Sequence, residues 1–367
     1  MRFSSFADPF RIYTLKEVLQ RISFPVTVDE NKLYYQIGIR SHSKGIFYKE
    51  AESGKQIGNK RIFWIEPNCL ILNIVFAWEQ AVAKTSEKEV GMVASHRFPM
   101  YKVLNNSLDY IVDFFKTEKG KQLLQMASPG GAGRNKTLNQ DFFLSSKIYL
   151  PSLTEQLKTS ELIELIEDRI ETQIKIINDY KLLKKYITKS FIKQKGTSYL
   201  LSEIAELGRG RVISSAEISK QKNPIYPVYS SQTSNNGVMG YLDNYDYEGE
   251  YITWTTDGAN AGTVYYRNGK FNCTNVCGIL KIKNGYDAYY ISNILNCYTK
   301  KYVSTNLANP KLMNNVMANI KINLPSIERQ KYFSNILKAI EYRVKIEQDI
   351  KLNLVKQKVF LLKNMFL

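Results

Sequence analysis

The sequence predicts an α+β fold of two similar globular domains separated by a pair of long helices forming an antiparallel coiled coil, an internal pseudo-two-fold repeat. Three observations predict it. The segment Ile148-Tyr-Leu-Pro-Ser-Leu-Thr-Glu-Gln156 returns as Ile322-Asn-Leu-Pro-Ser-Ile-Glu-Arg-Gln330, an offset of 174 residues. The register then holds without a gap through Ser160/Ser334, Ile166/Ile340, Glu167/Glu341, Arg169/Arg343 and Lys189/Lys363. A period near half of a 367-residue chain is too long for a solenoid and implies duplication. Second, each copy runs into a heptad-spaced apolar seam. Third, the stretches before the copies are rich in short β-prone runs punctuated by Gly and Asn.

Each element follows from local chemistry. Residues 1–150 read as the first domain, with strand-like runs at Leu33 to Ile39, Arg61 to Ile65 and Leu70 to Val75. Residues 151–196 read as a central helical spacer. Its seam is Ile163, Ile166, Ile170, Ile177, Tyr180, Ile187 and Phe191, with spacings of 3, 4, 7, 3, 7 and 4 and with Gln173 and Lys184 at interrupting core positions. Gly196 breaks this helix. Residues 197–325 read as the second domain, with strand-like runs at Glu250 to Thr255, Gly262 to Tyr266 and Val276 to Ile282. Residues 326–367 read as a C-terminal helical spacer, its seam formed by Leu337, Ile340, Val344, Leu354, Leu361 and Met365. The polar interruptions recur as Glu347 and Lys358, while Lys351 replaces Ile177. At each helix start a proline sits where its missing N–H costs nothing, and Ser152 or Ser326 can cap the free donors.

Composition narrows the class. A hydrophobic content of 44% argues against disorder. No run of about 18 apolar residues marks a membrane span, and the first ten residues lack the apolar core of a signal peptide. Four cysteines, Cys69, Cys273, Cys277 and Cys297, suit a reducing, cytoplasmic setting better than a disulfide framework. Lys+Arg 51 against Asp+Glu 34 gives a net charge of +17, the electrostatic footprint of a nucleic-acid binder.

Catalytic constellations are hard to find. His42 and His96 lack an Asp/Ser pattern around them. Cys273 and Cys277 have CxxxC spacing but no second pair to complete a zinc site, and read as small core residues. Ser128-Pro-Gly-Gly-Ala-Gly133 lacks the following Lys-Ser/Thr of a phosphate loop. Asn223-Pro-Ile-Tyr226 differs by one residue from the Asn-Pro-Pro-Tyr box that holds a flipped base in adenine methyltransferases, but no Gly-rich cofactor loop precedes it. The chain reads as a binder with no catalytic and no metal-binding residues of its own.

DNA reading needs Arg for guanine, Asn or Gln for adenine, and Lys, Arg or backbone N–H for phosphate. In the first domain the polar loop Ile39–Gly45 supplies Arg40, Ser41, His42 and Lys44. In the second, Val228–Gly237 supplies Ser231, Gln232 and Asn235. Just before the helices, Arg134, Asn135 and Lys136 align at the same offset with a segment containing Lys311. Arg97, Arg209, Arg211 and Arg267 are further basic candidates. For coiled-coil formation and partner docking the candidates are Ile163, Ile166, Ile170, Ile177, Leu337, Ile340, Val344 and Leu354.

Two variable domains, each followed by Leu-Pro-x-x-x-x-Gln and a long helix, resemble the specificity (S) subunit of type I restriction-modification systems, over essentially the whole chain. Asn73–Ala83 with Ser95–Tyr101, and Trp254–Tyr266 with Cys273–Cys277, look like stretches of its target recognition domains. The resemblance implies a DNA-binding, non-catalytic subunit. Each domain would read one half of a bipartite double-stranded DNA target, and the helices would space the half-sites and dock two adenine-methyltransferase (M) subunits. Restriction (R) subunits, carrying the nuclease and translocase, would join through these. S-adenosylmethionine, ATP and Mg would belong to the partner subunits, none to this chain. Two alternatives are a non-catalytic coiled-coil scaffold with non-specific DNA binding, and a stand-alone DNA methyltransferase.

Overall fold

Each globule opens with a strand, one helical turn and a second strand: Arg11–Thr14, Leu15–Val18 and Leu19–Ile22 in the first, Thr197–Leu200, Leu201–Ile204 and Ala205–Arg209 in the second. The computed structural model describes residues 2–130, 136–304 and 309–366. The turn forms because an acidic residue three positions in reaches back to the free backbone donor before it. Glu17 accepts from Thr14 N–H at 2.6 Å and Glu203 from Leu200 N–H at 2.7 Å. Leu15 and Leu201 are fully buried beneath it.

The opening strand then pairs antiparallel with the last strand of its own globule. Arg11 faces Leu150, and Thr197 faces Leu324. The openings match at an offset of 186 (Tyr13/Tyr199, Leu15/Leu201, Glu17/Glu203), whereas the closing strands match at 174, so the second globule is 12 residues shorter.

Between these ends lies the same four-strand core. In the first globule the antiparallel order is Leu19–Ile22, Met100–Val103, Leu70–Leu72, Val82–Lys84. In the second it is Ala205–Arg209, Cys277–Ile282, Tyr247–Thr255, Val264–Cys273, which continues into Tyr226–Tyr229 and Val238–Leu242. The extension joins by a short parallel contact of Val228 and Tyr229 with Asn272 and Cys273. The first globule instead adds two-stranded pairs, among them Ile37–Ile39 with Ile46–Tyr48 and Ile62–Trp64 with Val93–Ser95. The helices Leu108–Lys116 and Ala288–Tyr298, capped by Ser107 and Asp287, cover the sheets. Fully burying side chains such as Phe115, Ile291 and Leu295 contributes about 1.5–3 kcal/mol each.

The two long helices, called rods below, span Leu153–Ile192 and Ile327–Met365. At 1.5 Å per residue the 40-residue first rod is about 60 Å long. Every predicted seam position is covered. Ile163, Gln173, Ile177 and Phe191 are buried in the first rod, and Leu337, Ile340, Glu347 and Met365 in the second, with Ile166, Ile170, Val344 and Leu354 half-buried. Gly196 follows the first rod where its backbone passes against Leu324. A Cβ there would stand 2.2 Å from the Leu324 carbonyl oxygen, which only glycine avoids.

The chain divides into two compact units, residues 1–174 with 350–367, and residues 175–349, so each unit takes one globule and part of both rods. Within the first unit Lys358 donates to Glu167 at 2.6 Å. Within the second, Lys184 donates to Glu341, and Phe191 stacks on Phe333 with ring centroids 3.7 Å apart. The two ion pairs are the same pair exchanged by the 174-residue repeat. Their residue numbers add to 525 in both cases, the mark of one antiparallel register operating in each unit. Among the described residues no helix is long and apolar enough to cross a membrane.

Candidate nucleic-acid interface

The Leu-Pro-x-x-x-x-Gln motif is a joint between globule and rod. Gln156 is buried, its amide donating to the Pro151 carbonyl at 3.0 Å and accepting from Ser107 N–H at 3.0 Å. Gln330 repeats this, donating to Pro325 at 2.8 Å and accepting from Asp287 N–H at 3.0 Å. In both units the same glutamine ties the first turn of a rod to the capping residue of the helix that covers the sheet.

In the first globule the loop Arg40–Gly45 is the tip of the hairpin between Ile37–Ile39 and Ile46–Tyr48. His42 and Ser43 adopt left-handed backbone conformations, with φ of 59° and 54°. They hold them because His42 N–H donates to the Glu79 carbonyl at 2.6 Å and Ser43 N–H to the Gln80 carbonyl at 2.9 Å. Ser41 donates its hydroxyl to Glu79, while Arg40 lies over the Phe47 ring and Lys44 is exposed. The segment Asn73–Gln80 gathers the other candidates too. Ile74 N–H donates to the Arg97 carbonyl, and the Lys136 ammonium sits 5.1 Å above the Trp78 ring. Arg40, Lys44 and Arg97 reach solvent, whereas Ser41 is spent on Glu79. Arg134 and Asn135 lie outside the described residues.

In the second globule the loop Ser230–Gly237 projects between Tyr226–Tyr229 and Val238–Leu242. Asn235, Asn236 and Gly237 are three consecutive left-handed residues, with φ of 47°, 53° and 83°. Such a run is costly for non-glycine residues and needs outside support. Arg267 supplies it. Arg267 is only 4% exposed, stacked 3.5 Å over the Tyr229 ring and 4.4 Å over the Tyr265 ring. Its guanidinium donates to the Asn236 carbonyl at 2.9 Å and to Thr253 Oγ1 at 3.2 Å. Burial pulls its pKa below the usual guanidinium value, opposed by the neighbouring Tyr229. Arg267 therefore braces the loop from beneath.

Two more candidates are committed internally. The Gln232 amide donates to the Val238 carbonyl and closes the base of the loop. Arg211 is held between Glu217 at 2.7 Å and Asp246 at 3.1 Å, and the Glu217 hydrogen bond raises its pKa further. Arg209 and Lys311 share Asp257, at 3.4 and 3.6 Å, and keep a net positive charge between them. Ser231 is half-buried and Asn235 is exposed at the loop tip.

The near-motifs resolve simply. Asn223-Pro-Ile-Tyr226 leads into a sheet strand, with Asn223 N–H donating to the Asp243 carboxylate and Ile225 N–H to the Leu242 carbonyl. Cys273 and Cys277 are buried at the two ends of a tight turn between strands. Among the described residues no cluster of three or more His, Cys, Asp or Glu side chains could hold a metal ion.

Comparison with known proteins places this architecture. The family model for the type I restriction modification DNA specificity domain matches residues 195–357. The N-terminus of a putative type I specificity subunit of Mycoplasma pneumoniae is 44% identical over 142 residues, 38% of this chain and 75% of the relative. The type I restriction enzyme MpnII specificity subunit of the same organism is 42% identical over 146 residues, 39% of this chain. The matched stretch spans only 43% of that longer relative. The crystal structure of a type I restriction-modification system S subunit from M. genitalium superposes with a TM-score of 0.64 at 12% identity, covering 100% of this chain and 98% of that one, a likeness of fold. The repeat, the joint and the kinship agree: this chain belongs to the family of type I restriction-modification specificity subunits.

Proposed function

We propose that this chain reads a bipartite double-stranded DNA target, one half-site per globule, and docks two adenine-methyltransferase subunits on its rods, with nuclease and translocase subunits joining through them. The observation that carries the reading is the contrast within the repeat. The joint, the four-strand core and the rod register are the same in both units, whereas the projecting loops differ in sequence, length and support. Two identical partners need two equivalent docking faces, and two different half-sites need two different reading loops.

Apolar surface on the rods of each unit supports a docking role. In the first unit Leu162, Ile166, Phe360 and Leu361 line an open apolar groove of about 530 Å³. Their repeat counterparts in the second unit are Ile336, Ile340, Tyr186 and Ile187, and there Leu182 and Tyr186 stand 66% and 73% exposed. Exposed apolar patches of this kind mark protein contacts more often than free surface. In this reading the chain is non-catalytic. S-adenosylmethionine, ATP and Mg²⁺ belong to the partners.

Methylome sequencing of strains with and without the gene tests the proposal. The expected result is loss of one bipartite adenine-methylation motif on deletion. Retention of every such motif, in a strain expressing the system, would overturn it.

A further inference from the structure

A cluster of cations without ion pairs among the described residues adjoins the segments Asn73–Phe76 and Ser95–Phe98 of the first globule, beside the loop tip Arg40–Gly45. A cleft of about 240 Å³ is lined by Arg21, Arg61, His96 and Gln140 with Ile22, Phe63, Phe98 and Met100 among its apolar walls. A second, of about 190 Å³, is lined by Lys49, Asn73, Ser95 and Arg97 and shares Phe98 with the first. The tight turn Ser95–Phe98, closed by Phe98 N–H donating to the Ser95 carbonyl, stands between them. Strand pairing fixes the rest: Arg21 faces Tyr101, and His96 N–H donates to the Arg61 carbonyl.

The charge lining the two clefts is of one sign. Among the described residues no carboxylate lines either cleft. Arg2, Arg209, Arg211 and Arg343 each hold an acidic partner, and Arg267 is buried among tyrosines. Arg21, Arg61, Arg97 and Lys49 carry no side-chain ion pair among the described residues and are exposed. Two like charges on each of two adjoining clefts repel one another and raise the local potential. Phosphodiester groups would relieve that repulsion, and the apolar walls suit the flanking sugars.

We infer that this double cleft grips the sugar–phosphate backbone of the DNA duplex beside the first half-site, with Arg21 and Arg61 each neutralising a phosphate. The inference rests on the DNA-reading assignment above, but it names a backbone clamp distinct from the loop tips. Arg21 and Arg61 come from separate strands, and the clamp is sequence-independent.

The test measures binding of the full-length chain to a labelled duplex across a salt series. Each lost phosphate contact lowers the slope of log K against log salt by roughly 0.9. R21Q/R61Q is therefore expected to reduce the slope by roughly 1–2, with at least a roughly 10-fold loss of affinity at low salt. K55Q/K119Q, an equal charge change elsewhere on the same globule, is expected to leave the slope near wild type. R21K/R61K is expected to restore the slope, because phosphate accepts a point charge where base edges need the planar fork. An unchanged slope in R21Q/R61Q, or equal loss in K55Q/K119Q, overturns the clamp while the DNA-reading assignment stands. Failure of R21K/R61K to restore the slope overturns the phosphate assignment in favour of base contact. Absence of salt-dependent binding by the wild-type chain overturns the DNA-reading assignment itself.

Discussion

Gln156 accepts the backbone N–H of Ser107 at 3.0 Å, and Gln330 makes the same bond to Asp287 at the same distance. The accepted N–H belongs to a helix cap, and the glutamine lies inside the first turn of a rod. Removing the Gln330 side chain leaves the half-buried Asp287 N–H and the buried Pro325 carbonyl without this partner, each a desolvation loss. Gln330→Ala should therefore cost about 2–3 kcal/mol of stability. Urea denaturation followed by circular dichroism checks it, and a midpoint matching wild type would show the joint to be dispensable.

The rods were legible in the sequence because their signals are local: heptad spacing, a Leu-Pro-Ser step and a breaking glycine. The Gln of the motif was visible as a repeat, but its role was not, because Ser107 and Asp287 lie 49 and 43 residues away. The cleft of Arg21, Arg61 and His96 was hidden for the same reason, being assembled from separate strands. The burial of Arg267 was not legible, because a charged side chain ordinarily faces water. Its signal was the surrounding tyrosine density, which supplies the faces that a buried guanidinium stacks on.

Arg267 acts on the reading loop through Asn236. Arg267→Met keeps the apolar contacts but removes the donor that holds three left-handed residues in place. The loop is then expected to open more often, with amides of residues 230–238 exchanging at least about 10-fold faster, equivalent to about 1.4 kcal/mol. On the proposed function, target discrimination with methyltransferase subunits present should fall while salt-dependent non-specific binding persists. Arg267→Lys should recover part of both. Unaltered exchange in the loop would show that its conformation is held by other contacts.

Gly278 is required by a close approach rather than by its backbone angles. A Cβ at this position would stand 2.1 Å from the Trp254 ring, which is fully buried and donates its Nε1–H to the Leu312 carbonyl at 2.9 Å. The ring has no solvent side to move toward, so Gly278→Ala must displace it or separate the paired strands. Overpacking of this kind costs about 1–3 kcal/mol. Thermal unfolding reads the loss, and near-ultraviolet circular dichroism should report a changed tryptophan environment. A variant as stable as wild type would contradict the packing described.

Glu167 accepts from Lys358 at 2.6 Å and from Lys116 at 3.4 Å. Burial pushes its carboxyl up, but Lys116 and Lys358 outweigh that and hold the pKa below the usual value. A carboxylate whose folded pKa is depressed stabilises the fold above its unfolded pKa and loses that contribution as pH falls through the folded value. The nearby Asp113 has the opposite sign, because burial raises its pKa despite Lys116, so it cannot account for a loss toward acid. Glu167→Gln should thus be less stable than wild type at neutral pH, by about 1 kcal/mol after allowing for solvent screening of a part-exposed pair. The difference should close as pH drops below the ordinary glutamate range near 4.3. Denaturation midpoints of both proteins across that range decide it. A gap that persists unchanged to acid pH would assign the loss to packing instead of charge.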